Sequence, residues 1–246
     1  MLVIPAIDLR KGRCVRLLQG KFDAVTDYSG DPLSIAVAYA RIGCPWLHVV
    51  DLDGAETGDL QNSEQILQII QQTSLKVQLG GGIRSRETAE SLFSLGASRL
   101  VIGSRAIEDP ESVRQWLRDF GPERIALALD IRLSRDGIPL VTTHGWTRDS
   151  DVSLAAAIRE FSPAGLKHVL CTDVSRDGAM SGPNTSLYEV FATGFPDIAL
   201  QASGGVSNAK DLHALAAAGV DAAITGKALL EKTISDEELL PFLHDE

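Results

Sequence analysis

Apolar runs and helical patterns alternate along the whole chain. Short runs rich in β-branched and aliphatic residues predict eight strands, at residues 2–7, 46–50, 75–79, 99–102, 124–129, 168–171, 198–202 and 221–224. The stretches between them predict eight helices, at residues 32–42, 63–72, 86–95, 110–120, 152–161, 186–193, 209–218 and 236–243. This rhythm is typical of βα units around a parallel sheet. Eight units in 246 residues predict an α/β fold, the closed (βα)8 TIM barrel, with a doubly wound open sheet as the alternative.

Three of the predicted helices start with capping chemistry. The candidate caps are Asp31 before Pro32, Asp109 before Pro110, and Ser85 three residues ahead of Thr88. Short polar side chains at such positions accept the unpaired backbone N–H groups of a first helical turn.

A glycine-rich stretch occurs twice, 123 positions apart. The repeated glycines are Gly81 and Gly82 with Gly204 and Gly205, Gly96 with Gly219, and Gly103 with Gly226. The repeat divides the chain in half, so we expect a single barrel domain built from two fused half-barrels, about residues 1–123 and 124–246. An open sheet would not naturally repeat with four strands on each side.

Composition narrows the class of protein. The net charge of −10 argues against nucleic acid as a partner, since that partner requires a basic face. Three cysteines without metal-like spacing predict reduced, buried thiols. No run approaches the roughly 20 apolar residues of a membrane span, and the first residues lack the features of a signal peptide. We therefore expect a soluble, cytoplasmic monomer without membrane or nucleic-acid partners.

Two aspartates follow predicted strands on opposite sides of the barrel. Asp8 follows the first strand and Asp130 the fifth, and each shares a strand face with small alanines. Functional residues of a TIM barrel lie at the carboxyl ends of the strands. The two carboxylates would face each other across the barrel mouth, one available as acid and the other as base. The alternative is that each is only a turn or capping residue.

The repeated glycines fall in the loops after strands three, four, seven and eight. Glycine lets the backbone approach an anion closely, and a hydroxyl or a lysine at a helix start adds a further ligand. The candidate phosphate-binding residues are Gly81, Gly82, Gly103 and Ser104 in one half, and Gly204, Gly205, Gly226 and Lys227 in the other. Two such sites predict a ligand with a phosphate at each end, lying crosswise to the line between the aspartates. Alternatively, the glycines serve only tight turns.

Other chemistries lack their residues. The glycine run lacks the spaced third glycine of a dinucleotide fingerprint. No lysine ends an inward-facing strand, as a Schiff-base aldolase requires. The five histidines show no ligand spacing, so we expect no bound metal.

Two long loops are predicted at the barrel mouth, at residues 9–30 and after Asp130. The first carries a basic cluster that suits an anionic substrate, formed by Arg10, Lys11, Arg13, Arg16 and Lys21. The second contains Arg132, Arg135, His144, Trp146 and Arg148. Long loops at this position can close as lids. Trp146 can stack on a planar heterocycle, although an ordinary packing role is the alternative.

Motifs along the whole chain resemble the ProFAR isomerases of histidine biosynthesis. The motifs are Ile4-Pro5-Ala6-Ile7-Asp8-Leu9, Val15-Arg16-Leu17, Val50-Asp51-Leu52-Asp53-Gly54-Ala55, Gly80-Gly81-Gly82-Ile83-Arg84, Thr172-Asp173, Asp177-Gly178, Gly182-Pro183-Asn184 and Ser203-Gly204-Gly205-Val206. The resemblance implies a (βα)8 barrel that opens the ribose ring of a bis-phosphorylated aminoaldose and converts it to the aminoketose. This Amadori rearrangement is the fourth step of the pathway and uses no cofactor.

The resemblance also implies residue roles. It assigns the base to Asp8 and the acid to Asp130, with Asp177 as a second candidate for the acid. Thr172 matches a position that hydrogen-bonds near the reacting ribose. The remaining matches are to substrate-contacting positions, at Arg16, Arg84 and Trp146.

Two other functions stay open at this point. The related cyclase subunit of imidazole glycerol phosphate synthase, which needs a glutaminase partner, usually reads Cys-Leu-Asp in its first strand, where this chain reads Ala-Ile-Asp. A non-catalytic barrel that senses a bis-phosphate would keep the glycines equally well. Relatives that also isomerise phosphoribosyl anthranilate tend to have arginine at the position of His144, so we expect little of that activity.

Overall fold

The computed structural model describes residues 1–18, 21–28 and 30–244 of the chain. Its eight parallel strands are β1 Leu2–Arg10, β2 Trp46–Asp51, β3 Lys76–Gly80, β4 Arg99–Ile102, β5 Ile125–Ala128, β6 His168–Thr172, β7 Ala199–Ser203 and β8 Ala222–Thr225. Each strand pairs with the next, and β8 also pairs with β1, which closes the sheet. The predicted (βα)8 TIM barrel is confirmed, and the open sheet is excluded.

Helices lie between successive strands. The larger ones are Pro32–Arg41, Ser63–Gln72, Arg86–Leu95, Pro110–Phe120, Leu154–Phe161, Thr185–Gly194 and Ala209–Ala217. Shorter ones are Leu52–Thr57, Arg105–Glu108, Lys227–Leu230 and Asp236–Leu239, with 3-10 turns at Ser162–Ala164 and Leu240–Phe242. The three predicted caps are confirmed, because Asp31, Ser85 and Asp109 each accept a hydrogen bond from the backbone N–H three residues later. Among the described residues, none of these helices has the length and apolar content needed to cross a membrane.

The two long loops contain antiparallel strands. β1 runs past its predicted end at residue 7 because it pairs with Arg13–Leu18, which in turn pairs with Lys21–Asp27. The loop after β5 forms a separate sheet of Ile131–Leu133, Pro139–Thr143 and Arg148–Ser153. The last of these strands explains why the fifth helix begins at Leu154 and not at residue 152. The side chain of Lys21, from the predicted basic cluster, lies outside the described residues.

Two apolar layers stabilise the barrel. The larger layer fills the space between strands and helices and includes Ile7, Leu47 and Leu200. The smaller one lies inside the barrel and includes Ile4 and Leu170. Successive side chains of a strand point to opposite faces, so strands that are apolar on both faces read as continuous apolar runs.

The centre of the barrel is polar. Gln78 in β3 and Gln201 in β7 meet there, and their side-chain amides exchange hydrogen bonds of 2.8 and 3.1 Å. Gln78 also donates to His48 Nδ1 at 3.2 Å and accepts from Arg99 at 3.1 Å. The two glutamines are 123 positions apart, and each is the third residue of its strand. Residues related by the glycine repeat therefore occupy equivalent places in the ring.

Candidate active site

Three aspartates lie at the mouth of the barrel. Asp8 is near the carboxyl end of β1, Asp130 follows β5, and Asp177 is in the loop after β6. The charges of Asp8 and Asp130 both act on Asp177, so both lie within electrostatic reach of it. Burial is the largest cause of the raised pKa of all three carboxyls, and the pKa of Asp177 is about 7. A carboxyl with that pKa is partly protonated at neutral pH and can donate a proton.

Arg16 binds Asp8 directly. Nη1 donates to Asp8 Oδ2 at 2.7 Å, and Nη2 donates to the carbonyl oxygen of Ala6 at 2.6 Å. The antiparallel pairing of Arg13–Leu18 with β1 produces these contacts. Burial raises the pKa of Asp8, and the neighbouring guanidinium opposes that rise. Burial acts to lower the pKa of Arg16, but the charges of Asp8 and Asp177 outweigh it and the pKa is raised.

Asp130 accepts hydrogen bonds from two side chains. Trp146 Nε1 donates to Asp130 Oδ2 at 2.8 Å, and the hydroxyl of Thr172 donates to the same carboxylate. Burial raises the pKa of Asp130, and these two bonds lower it. The indole is carried by a turn in which His144, Gly145 and Trp146 have φ angles of 54°, 60° and 70°. Residues other than glycine seldom adopt this left-handed conformation, so the turn is strained.

One cleft joins the second-half glycines to Arg16 and Asp177. Its lining includes Arg16, Asp177, Gly204, Gly205, Gly226 and Lys227. Lys227 Nζ donates to the carbonyl oxygen of Gly178, next to Asp177, at 3.1 Å. A Cβ atom on Gly226 would overlap the guanidinium of Arg16. Arg16 therefore lies directly over Gly226 and connects Asp8 to this cleft.

The first-half candidates lie outside that cleft. Gly103 and Ser104 follow β4, and Ser104 Oγ accepts a hydrogen bond from the backbone N–H of His144 at 2.8 Å. Arg84 is exposed, and its Nη2 donates to the carbonyl oxygen of Ala55 at 2.9 Å. The fold thus brings Ser104 to the turn that carries Trp146, and Arg84 to the short helix Leu52–Thr57 after β2.

Close backbone contacts require glycine in both copies of the repeat. A Cβ atom on Gly82 would overlap the carbonyl oxygen of Gly54, and one on Gly205 would overlap that of Gly182. The φ angles of Gly82 and Gly205 are 70° and 90°, in the region that favours glycine. Tight packing of neighbouring loops therefore accounts for these glycines in the fold. Phosphate binding by the same loops stays a prediction.

Sequence reasoning missed two hydrogen-bonded pairs of a buried aspartate with an asparagine beneath these loops. Asp51 at the end of β2 accepts a hydrogen bond from Asn62 Nδ2 at 2.6 Å, and its side chain has no exposed surface. After β6, Asp173 accepts from Asn184 Nδ2 at 2.7 Å. Each asparagine follows its aspartate by 11 residues. That shared spacing, in halves already related by the glycines, is the signal that would have found them.

Comparison with known proteins gives full-length similarity. The sequence profile of the family described as "Histidine biosynthesis protein" matches residues 2–235. Similar proteins are the 1-(5-phosphoribosyl)-5-((5-phosphoribosylamino)methylideneamino)imidazole-4-carboxamide isomerases of several bacteria. The one from Alteromonas mediterranea is 44% identical over 239 residues, covering 97% of this chain and 98% of its own. The one from Legionella pneumophila is 46% identical over 240 residues (98% and 100%), and that from Maricaulis maris 45% over 245 residues (100% and 100%).

Proposed function

Because the chain belongs to the family of histidine biosynthesis proteins, we propose that it is the isomerase that converts ProFAR to its aminoketose isomer. ProFAR is the bis-phosphorylated aminoaldose in the name of the isomerases described above. The observation that supports this most is 44–46% identity to those isomerases over nearly the whole chain. The partly buried carboxyls at the barrel mouth are the proposed acid and base that such a rearrangement needs.

Asp8 is the proposed base. It must be ionised to accept a proton, yet burial raises its pKa. The guanidinium of Arg16 at 2.7 Å opposes that rise and favours the carboxylate. Asp8 is then available to remove the proton from C2 of the substrate.

Asp177 is a better candidate for the acid than Asp130. Burial raises the pKa of Asp130, but hydrogen bonds from Thr172 and Trp146 oppose that rise and favour its ionised form. The pKa of Asp177 is raised to about 7 by burial and by the charges of Asp8 and Asp130, although Arg16 opposes the rise. We therefore assign proton donation to Asp177 and interpret Asp130 as an acceptor held in place by Trp146 and Thr172.

The two groups act on different bonds. Asp177 gives its proton to the ring oxygen as the bond from that oxygen to C1 breaks, which leaves a protonated imine. Asp8 then removes the proton from C2, and the enolamine formed tautomerises to the ketone. All electron pairs stay within the substrate, so the reaction needs proton transfer and positioning but no oxidant or reductant.

The ends of the substrate match the two glycine sites. At the second-half site, Lys227 provides a cation beside the cleft. Arg16 of the first half also lines this cleft, and its Nε is a buried N–H without a partner among the described residues. We assign a phosphate in this cleft as the partner of that N–H, where it would meet both positive charges. In the first half we assign the other phosphate to Gly81, Gly82, Gly103 and Ser104, with Arg84 and Trp146 contacting the rest of the substrate.

Turnover by the purified chain tests this proposal. ProFAR is supplied as substrate, and formation of the aminoketose is followed by chromatography. We expect conversion without an added cofactor. Binding of ProFAR without conversion would contradict the proposal and favour a sensor of bis-phosphates.

A further inference from the structure

β1 and the strand Arg13–Leu18 form a hairpin, and the turn between them is hydrogen-bonded to residues outside the hairpin. The turn consists of Lys11 and Gly12, with φ angles of 51° and 75°. The backbone N–H of Lys11 donates to Asp53 Oδ2 at 2.6 Å, and that of Gly12 donates to Asn62 Oδ1 at 2.7 Å. Both acceptors belong to the segment after β2. The neighbouring loop therefore anchors the two N–H groups of this turn.

Asn62 uses every hydrogen-bonding group of its side chain. Besides accepting from Gly12, its Nδ2 donates to Asp51 Oδ1 at 2.6 Å and to Asp53 Oδ2 at 2.9 Å. Carboxylates only accept and a backbone N–H only donates, so these partners fix the orientation of the amide. The residue is 2% exposed. Loss of the side chain would leave the N–H of Gly12 without its partner, whereas Asp51 would keep three backbone N–H donors.

The equivalent asparagine in the second half has a different use. Asn184 also donates to a buried aspartate, Asp173, but its Oδ1 accepts from Leu187 N–H and so caps the helix Thr185–Gly194. Asn62 occupies the same position before the helix Ser63–Gln72 and makes no such cap. The side-chain oxygen of Asn62 instead accepts the hydrogen bond from Gly12 N–H in the hairpin. The difference between two otherwise corresponding residues points to a function at the hairpin.

We propose that Asn62 is a positioning residue for Arg16. The register of a hairpin is set by its turn, and a slip of one residue moves every side chain to the opposite face. Arg16 is four residues beyond Gly12, and its guanidinium must reach Asp8 at 2.7 Å. By holding Gly12, Asn62 fixes the register that places Arg16 on Asp8. The kinetic consequence rests on the proposed isomerase function, but the structural one does not.

Thiol labelling tests the structural consequence without any activity. Cys14 is buried in the strand next to the turn, and Cys44 and Cys171 are buried elsewhere in the barrel. In Asn62→Ala, alkylation of Cys14 should accelerate roughly tenfold as the hairpin opens more often. The rates at Cys44 and Cys171 should stay unchanged. An unchanged rate at Cys14, or equal acceleration at all three cysteines, would overturn the proposal.

A milder variant covers the case in which Asn62→Ala does not fold. Asp53→Ala removes the half-buried acceptor for Lys11 N–H. It leaves the hydrogen bond from Gly12 N–H to Asn62 in place. We expect a smaller but still selective acceleration at Cys14. Labelling as slow as in the unsubstituted protein would show that anchoring of the turn does not control the hairpin.

A double-mutant cycle with Arg16→Gln tests the kinetic consequence. Asn62→Ala should lower kcat/KM roughly tenfold alone, but less than about twofold when Arg16 is already replaced, because contacting or coupled residues are not additive. The matched comparison is Asn184→Ala, whose effect should be the same in both backgrounds. Equal effects of Asn62→Ala in both backgrounds would overturn the positioning role. Absence of turnover in the unsubstituted protein would instead refute the isomerase function, and the labelling result would still stand.

Discussion

At the scale of single residues, three chemically identical aspartate side chains at the barrel mouth differ in the groups that surround them. Asp8 has a guanidinium, Asp130 has two neutral donors, and burial raises the pKa of Asp177 to about 7 against the opposing charge of Arg16. Different surroundings give titratable groups different pKa values, and this allows one site to provide both an acid and a base at the same pH.

The pH dependence of Asp177→Asn tests this division. Asp177 must be protonated to act as acid, so kcat/KM of the unsubstituted protein should fall as the pH rises through about 7. In Asp177→Asn, the fall should disappear and kcat should drop by roughly 10²- to 10⁴-fold. Both quantities come from steady-state kinetics across a pH series.

Asp130→Asn is the matched comparison, since it removes a second buried carboxyl at the same mouth. It should keep the fall but move it to lower pH, because the charge of Asp130 that helps to raise the pKa of Asp177 is gone. Loss of that fall in Asp130→Asn but not in Asp177→Asn would reverse the assignment of the acid.

The sequence predicted the residues whose position follows from strand ends. Asp8 and Asp130 were identified by the rule that barrel chemistry lies at the carboxyl ends of strands. Asp177 lies five residues past the end of β6, where no such rule applies, and only the family resemblance indicated it. Asn62 was not found, because its use depends on a contact with a different loop.

At the scale of elements, the eight barrel strands were predictable because they are buried on both faces and read as apolar runs. The strands in the two long loops were not. Ile131–Leu133 has only three residues, and Arg148–Ser153 is largely polar and has no buried residue, so neither shows the pattern of a buried strand. The helix Leu52–Thr57 is too short to show helical periodicity.

Gly205→Ala tests the packing of the loops after β6 and β7. A Cβ atom there meets the carbonyl oxygen of Gly182 as well as a φ angle of 90°, so we expect a loss of about 3 kcal/mol or more in the free energy of unfolding. Gly165→Ala is the control, since Gly165 has a φ angle of 87° and open space around it. Its cost in the free energy of unfolding should be about 1 kcal/mol. Equal losses by chemical denaturation would show that contact with Gly182 is unimportant.

At the scale of the whole molecule, the two halves are alike in their scaffold and different at the mouth. Gln78 and Gln201 meet as equivalents at the barrel centre. The first half contributes Arg16, and this residue lies over Gly226 of the second half. We propose that the barrel is built from two fused half-barrels. The equivalent positions of Gln78 and Gln201 support this proposal. The contact between Arg16 and Gly226 could not be predicted from either half alone.

Lys227→Met tests the second-half phosphate site. The change removes the cation beside the cleft while keeping an unbranched side chain, so KM for ProFAR should rise roughly tenfold or more with a smaller change in kcat. Lys210→Met removes an exposed lysine from the helix Ala209–Ala217 and should leave KM unchanged. Equal KM values for the two variants would contradict the assignment of this site.

Asp8 is the proposed base, whereas other residues are the proposed phosphate ligands. Asp8→Asn keeps the size of the side chain, so we expect ProFAR to bind with a Kd within about threefold of the unsubstituted value while kcat falls by about 10³-fold or more. Titration calorimetry and single-turnover kinetics on the same preparation measure both quantities. A kcat within about tenfold of the unsubstituted protein would contradict the assignment of Asp8 as the base.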